Sequence, residues 1–379
     1  MAIYLTLAVS FFNFVGMSAA RVVLTLYALT LGATPTRVGV LGGMFYVFPL
    51  LLSWPVGKLA DRYGASRLLL IGSSVGASAL VLPYLLADLR VFYIAAALSG
   101  LAMAFYHVTL QNAIGVLSKP AEQARNFSNF SLVGALTNFV GPLVAGFSID
   151  HFGHAVACLY IVGLSLVALA LLLIGGRLLP RGNPNASAGA GTMKSLIDPD
   201  VLQMIAATCL VQLGTDLFQF YIPIYGHSIT LSASAIGYVL ASFAAASFVV
   251  RFFLPRLVKE VRGEKLLAWS FYAGAAGFLL IPFFENVAVL AAVAFVFGLG
   301  MGLGTPLTVI LMFGRAAQGR SGQILGLRLA ATNVVRVLGP IVFGALGTAF
   351  GLMPVFLINA MFMASGGVVS HLQRKRDSE

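Results

Sequence analysis

The sequence predicts an all-α membrane protein: twelve transmembrane helices arranged as two pseudo-symmetric six-helix bundles. Three observations lead there: a composition that water cannot accommodate, apolar runs of spanning length, and short motifs that return at one fixed displacement. Of the 379 residues, 59% are hydrophobic and 9% charged, against about 25% charged in soluble domains. Crossing a bilayer core takes a run of roughly 20 apolar residues. Runs of that kind recur along the whole chain, separated by short clusters that hold nearly all the charge.

The runs place helices at 4–29, 37–57, 67–87, 91–117, 127–149, 155–176, 200–225, 235–255, 266–284, 287–313, 323–346 and 353–371. Ser18-Ala19-Ala20 resembles a cleavage site, but no basic stretch precedes it, so the first run is expected to be a retained helix. Cys158 and Cys209 both fall inside apolar runs and suggest neither a disulfide framework nor a metal cluster. The formal net charge of +11 reflects orientation rather than nucleic-acid binding. With a cytoplasmic N-terminus, Lys58, Arg62, Arg67, Arg177, Arg181, Arg256, Lys259 and Arg374-Lys375-Arg376 all lie inside, while the outside loops carry only Arg37 and Arg90. Basic residues collect on the cytoplasmic side of membrane helices, so a multi-pass inner-membrane protein with both termini cytoplasmic is expected.

One long non-apolar stretch, 177–199, contains Arg181-Gly182-Asn183-Pro184-Asn185 and Ala188-Gly189-Ala190-Gly191, a linker composition. It divides the chain into a bundle at 1–176 and a second at 200–379. If the halves are duplicates, motifs should share one displacement, and they do. Gly141-Pro142-Leu143-Val144-Ala145-Gly146 returns 198 positions later as Gly339-Pro340-Ile341-Val342-Phe343-Gly344, and Phe152-Gly153 returns as Phe350-Gly351. The same displacement relates Thr34, Thr36, Val38 and Gly39 to Ser232, Ser234, Ile236 and Gly237, where a hydroxyl can cap the following helix. The Gly-Pro elements suit close helix packing and bending, because glycine admits a neighbouring backbone and proline frees a carbonyl.

Between the second and third runs stands Gly57-Lys58-Leu59-Ala60-Asp61-Arg62-Tyr63-Gly64-Ala65-Ser66-Arg67. This loop resembles the Gly-x-Leu-Ala-Asp-Arg-x-Gly-Arg-Arg/Lys loop of the major facilitator superfamily, and helix count, linker and repeat agree with that family. Ala65 and Ser66 stand where the family usually has basic residues. The second-half counterpart, Pro255 to Lys265, keeps glycine and charge but lacks the aspartate. The resemblance implies that Gly57, Lys58, Asp61, Arg62, Gly64 and Arg67 form a conformational latch, with Asp61 set against the positive N-terminal end of the eleventh helix. The alternative is a plain turn and positive-inside anchor, with Gly57 or Gly64 supplying the bend. The Gly141-Pro142 element also resembles the family's antiporter motif, with Thr137 replacing a glycine and Ala145-Gly146 replacing a glycine pair.

Charges inside a bilayer are costly and mark function. Asp216 is the one carboxylate well inside an expected span, and Arg21, His107, Arg328 and Arg336 are the basic groups. In the resembled fold the first, fourth, seventh and tenth helices line a central cavity, which is where Arg21, His107 and Asp216 fall. Gln111 beside His107, and Gln212 and Gln219 beside Asp216, make one side of each helix polar. Tyr221 and Tyr225 bring polar tips to the same region. Substrate contacts are therefore expected at Arg21, His107, Gln111, Gln212, Gln219, Tyr221, Tyr225 and Arg336. Asp216 is either a proton carrier or half of a static ion pair with an arginine across the halves.

The resemblance implies secondary transport of a small organic solute by alternating access, expected as proton-coupled efflux of amphipathic or anionic compounds. Uptake of an organic anion is the rival, favoured by the arginines, and a non-transporting sensor is the rival of another class. No phosphate-cradling loop, metal-ligand cluster or nucleophile triad points to an enzyme, a cofactor or a metal. The expected partners are the substrate, protons and lipid, with the protein acting as a monomer.

Overall fold

The computed structural model describes residues 1–119, 122–180, 199–315 and 321–376. Its elements are α1 (Ala2–Thr30), α2 (Pro35–Tyr63), α3 (Ala65–Leu85), α4 (Leu89–Leu117), α5 (Gln123–Gly175), α6 (Pro199–Ser228), α7 (Ala233–Glu260), α8 (Gly263–Leu280), α9 (Val287–Arg315), α10 (Ser321–Phe350) and α11 (Leu352–Arg376). Among the described residues, eleven helices are long and apolar enough to cross a membrane. The count differs from twelve only because α5 carries both the fifth and sixth expected spans. A straight helix of its 53 residues would run about 80 Å, far beyond a hydrocarbon core of roughly 30 Å. Gly153, at φ 78 and ψ 167, breaks it. Gly141 before the break faces Ser18 of α1, and Ile161 and Ser165 after the break face Gly16 of α1. Both limbs of α5 thus lie along the same turn of α1, so the chain reverses at Gly153.

The described chain forms two compact units, Met1–Gly189 with Ser232–Gly237, and Ala190–Leu231 with Tyr238–Glu379. The six residues Ser232–Gly237 sit in the first unit although the expected bundle boundary assigned them to the second. In the first unit Val9 and Phe14 of α1, Leu69 of α3, Tyr106 and Leu110 of α4 and Leu172 of α5 share one core. In the second, Phe218 stacks on Phe297 at 4.5 Å, and Phe243, Phe278 and Phe356 close the same aromatic cluster.

The displacement of 198 is written in the backbone of each unit. After α1, the Ala33 amide donates to the Ala28 carbonyl, and after α6 the Leu231 amide donates to Gly226, at 3.0 and 2.9 Å. Gly32 (φ 77) and Thr230 (φ 60) take the same left-handed turn, and Gly153 (φ 78) has its counterpart in Gly351 (φ 84). A Cβ on Gly100 of α4 would lie 2.5 Å from the Phe45 carbonyl oxygen of α2, and one on Gly298 of α9 would meet the Phe243 carbonyl of α7 just as closely. Glycine is required at both crossings because the obstacle is backbone.

One expectation about the loop after α2 needs correcting. The helix runs through Tyr63, so Gly57 is helical, half-buried and packed toward Val108. Gly64, at φ 85, makes the turn alone.

Candidate functional site

In the first unit, α1 carries two of the expected site contacts on one face, two helical turns apart. Phe14 lies 4.9 Å from the His107 ring, centroid to centroid, with the planes at 34°. Arg21 Nη1 donates to the Tyr46 hydroxyl at 2.6 Å, linking α1 to α2. Arg21 is half-buried, and His107 and Gln111 are exposed on α4. Neighbouring Tyr106 is turned the other way, buried, with its hydroxyl donating to the Gly72 carbonyl of α3 at 2.9 Å. The α4 face with His107 and Gln111 is therefore distinct from the one that packs.

In the second unit, Asp216 of α6 is gripped from two sides. The Gln212 side-chain amide, one turn earlier, donates to Oδ1 at 2.9 Å. Arg336 of α10 approaches with Nε 3.5 Å from Oδ2, a charge contact longer than a good hydrogen bond. The side chains keep 10% exposure at Asp216 and 29% at Arg336. The ion pair thus lies within one half, which corrects the expectation of an arginine across the halves. Two turns before Arg336 on α10, Arg328 is half-buried. Gln219 is half-buried on α6.

The two tyrosines are placed differently from expectation. Tyr221 is fully buried, its hydroxyl donates to the Phe343 carbonyl, and its ring meets Phe220 and Phe356. The Tyr225 hydroxyl donates to the Phe284 carbonyl at 2.9 Å, and its ring sits edge-on to Phe356. Both tips satisfy backbone carbonyls in the helix packing, so neither offers a polar tip beside Asp216.

Of the expected latch, Lys58, Arg62 and Arg67 are exposed, and the Arg62 guanidinium lies 5.4 Å from the Tyr63 ring centroid. The side chain of Asp61 and the segment 316–320 before α10 lie outside the described residues. The Gly-Pro elements sit at close approaches. Gly141 abuts Ser18 of α1, Gly339 abuts Leu213 of α6, and the Pro142 carbonyl faces Gly237. Gly146 is set against the backbone of Ala233 and Ser234. Pro340 lies inside α10, and Gly344 accepts from the Thr348 hydroxyl at 3.1 Å.

Asp150, at the end of the first limb of α5, was not singled out by sequence. Its carboxylate accepts from the Ala233 amide at 3.0 Å and the Ser234 amide at 2.8 Å. A signal was available in the repeat. Pro35 opens α2, and its counterpart under the same displacement is Ala233, which has an amide hydrogen that proline lacks and therefore needs an acceptor.

Comparison with known proteins bears on the fold and on the class of activity. The model of the Major Facilitator Superfamily matches residues 6–259 and 204–379. The multidrug resistance protein MdtG of Dickeya zeae is 25% identical, with 97% of this chain and 93% of that protein covered. The quinolone resistance protein NorA of Staphylococcus aureus is 22% identical, covering 97% of this chain and 94% of its own. The crystal structure of the nucleoside transporter NupG superposes with a TM-score of 0.83 at 14% identity, over 98% of this chain and 99% of that one.

Proposed function

This chain belongs to the major facilitator superfamily and is a multi-pass membrane transporter, and from that premise we propose that it exports amphipathic organic compounds in exchange for protons. The observation that carries the reading is the Asp216–Arg336 pair, a carboxylate within the membrane-spanning part of α6 with 10% exposure, held by an arginine and a glutamine. Protonation of Asp216 cancels the attraction to Arg336 and leaves a neutral acid that still accepts from the Gln212 amide. The pair is the proton-free form of the coupling site, and its opening removes a charge contact between α6 and α10. Burying an unpaired charge is expensive, so proton uptake and conformational change are tied together.

Substrate contacts are assigned to Arg21, His107, Gln111, Gln212, Gln219 and Arg336. Arg21 is held by a neutral tyrosine hydroxyl, so its charge is left to attract an anionic group on the substrate. The drug-resistance relatives support export, and the basic inside loops support an inner-membrane protein with cytoplasmic termini. The test uses proteoliposomes loaded with a fluorescent amphipathic carboxylate. Wild type should move it at a rate that follows an imposed pH gradient, whereas Asp216→Asn should keep gradient-free exchange and lose the response. Equal pH dependence in the two proteins would leave Asp216 as a static pair.

A further inference from the structure

We infer that Asp150 is a positioning residue of the transport cycle, a clasp that holds the first turn of α7 against the first limb of α5 and opens once per cycle. The inference rests on the chain being a transporter and is independent of proton coupling.

The first helical turn leaves amides without intrahelical partners, and three of those at α7 are bonded to side chains. Ala233 and Ser234 donate to the two oxygens of Asp150 at 3.0 and 2.8 Å, and Ala235 donates to the Ser232 hydroxyl at 3.2 Å. Ile236 then makes the first helical bond, to the Ser232 carbonyl at 3.1 Å. A single side chain, 83 residues away in sequence from the first amide it accepts, thus supplies two of these three side-chain bonds, and its negative charge sits at the positive end of the helix dipole.

The backbones are shaped for this contact. A Cβ on Gly146 would lie 2.5 Å from the Ala233 carbonyl oxygen, and one on Gly237 would lie 2.6 Å from that of Pro142. This is why Ser232–Gly237 groups with the first unit while the rest of α7 belongs to the second. Opening of the clasp would part the first turn of α7 from Asp150, Gly146 and Pro142 together.

Symmetry shows that the carboxylate is not demanded by the fold. The matching helix α2 starts with Pro35, which has no amide to satisfy, and caps itself through the Thr34 hydroxyl, which accepts from Arg37. Thr348 stands at the position matching Asp150, with its hydroxyl turned back on Gly344. The clasp is thus built on one side only, with attraction that is strong when closed and replaceable by water when open, because Asp150 is exposed. A residue for a contact that must break is better made of charge and exposed amides than of buried apolar surface.

The test places a cysteine at Ala233, which is buried beneath the clasp, in a Cys158→Ser, Cys209→Ser background, and follows its reaction with a membrane-impermeant maleimide in proteoliposomes. Asp150→Asn and Asp150→Ala should raise the labelling rate about three- to tenfold, the range set by losing a charged hydrogen-bond acceptor at a partly exposed site. Asp88→Asn, which removes a carboxylate that caps only its own helix α4, should leave the rate unchanged. Unchanged labelling in both Asp150 variants would overturn the clasp. Should those variants fail to fold, a disulfide between cysteines at positions 150 and 234 gives a second reading. It should stop transport reversibly, with dithiothreitol restoring it, and undiminished transport through the intact disulfide would overturn the inference.

Discussion

Asp216 and Arg336 have to be treated as one object. Removing either partner of a fully buried pair costs about 3–5 kcal/mol, mostly because the other charge is stranded. Here Arg336 keeps 29% exposure, and water screens what it reaches. Arg336→Gln is therefore expected to cost roughly 2–3 kcal/mol, read as a lower Tm in detergent. Adding Asp216→Asn should recover part of that loss, since no charge then remains unpaired. A double variant as unstable as the sum of the singles would mean that the two groups do not interact. The polar residues of this pair were legible in sequence because charge is rare in a membrane span. Their partnership was not, because nothing in the order of residues distinguishes an arginine in the same half from one across the halves. Tyr221 shows the converse limit. Its spacing from Asp216 suggested a shared site, yet its hydroxyl is committed to the Phe343 carbonyl, a partner that only three-dimensional packing supplies.

Among the elements, the turns carry the clearest imprint of duplication. Gly32 and Thr230 occupy the same left-handed conformation, but one is glycine and the other a β-branched residue. A non-glycine residue there costs about 1–2 kcal/mol, and glycine returns roughly 0.5–1 kcal/mol of that through the greater entropy of its unfolded chain. Thr230→Gly should thus stabilise the protein by about 0.5–1 kcal/mol, detected as a small rise in Tm with transport unaltered. A fall in Tm would show that the exposed Thr230 side chain makes a contact outweighing its backbone cost. The displacement of 198, found in sequence from the Gly-Pro and Phe-Gly motifs, also links the two glycine crossings, Gly100 on Phe45 and Gly298 on Phe243. Those crossings were invisible beforehand because a lone glycine in an apolar run has many causes, and only the opposing carbonyl identifies this one. The Gly153 turn was legible as a gap between two expected spans, since no membrane accommodates an unbroken helix of that length.

At the scale of the whole molecule, the distribution of charge links orientation to direction. Basic residues cluster in the loops expected on the cytoplasmic side, while the opposite side carries Arg37 and Arg90 together with acidic groups such as Asp88 and Asp150. If positive charge is retained inside the cell, the expected orientation sets which end of the carrier first meets a cytoplasmic compound. If a proton enters the cytoplasm as substrate leaves, then inverted vesicles with an acidified lumen present the cytoplasmic face to the medium and the proton supply to the other side. They should accumulate the fluorescent amphipathic carboxylate, and collapse of the pH gradient with a protonophore should release it. Right-side-out vesicles given the same compound outside should take up no more than protein-free liposomes do. Gradient-driven accumulation confined to right-side-out vesicles acidified outside would make the carrier an importer, in which Arg21 gathers an external anion rather than receiving one from the cytoplasm. The two outcomes are separable because orientation can be scored independently, by whether trypsin added outside the vesicle cleaves at Arg374-Lys375-Arg376.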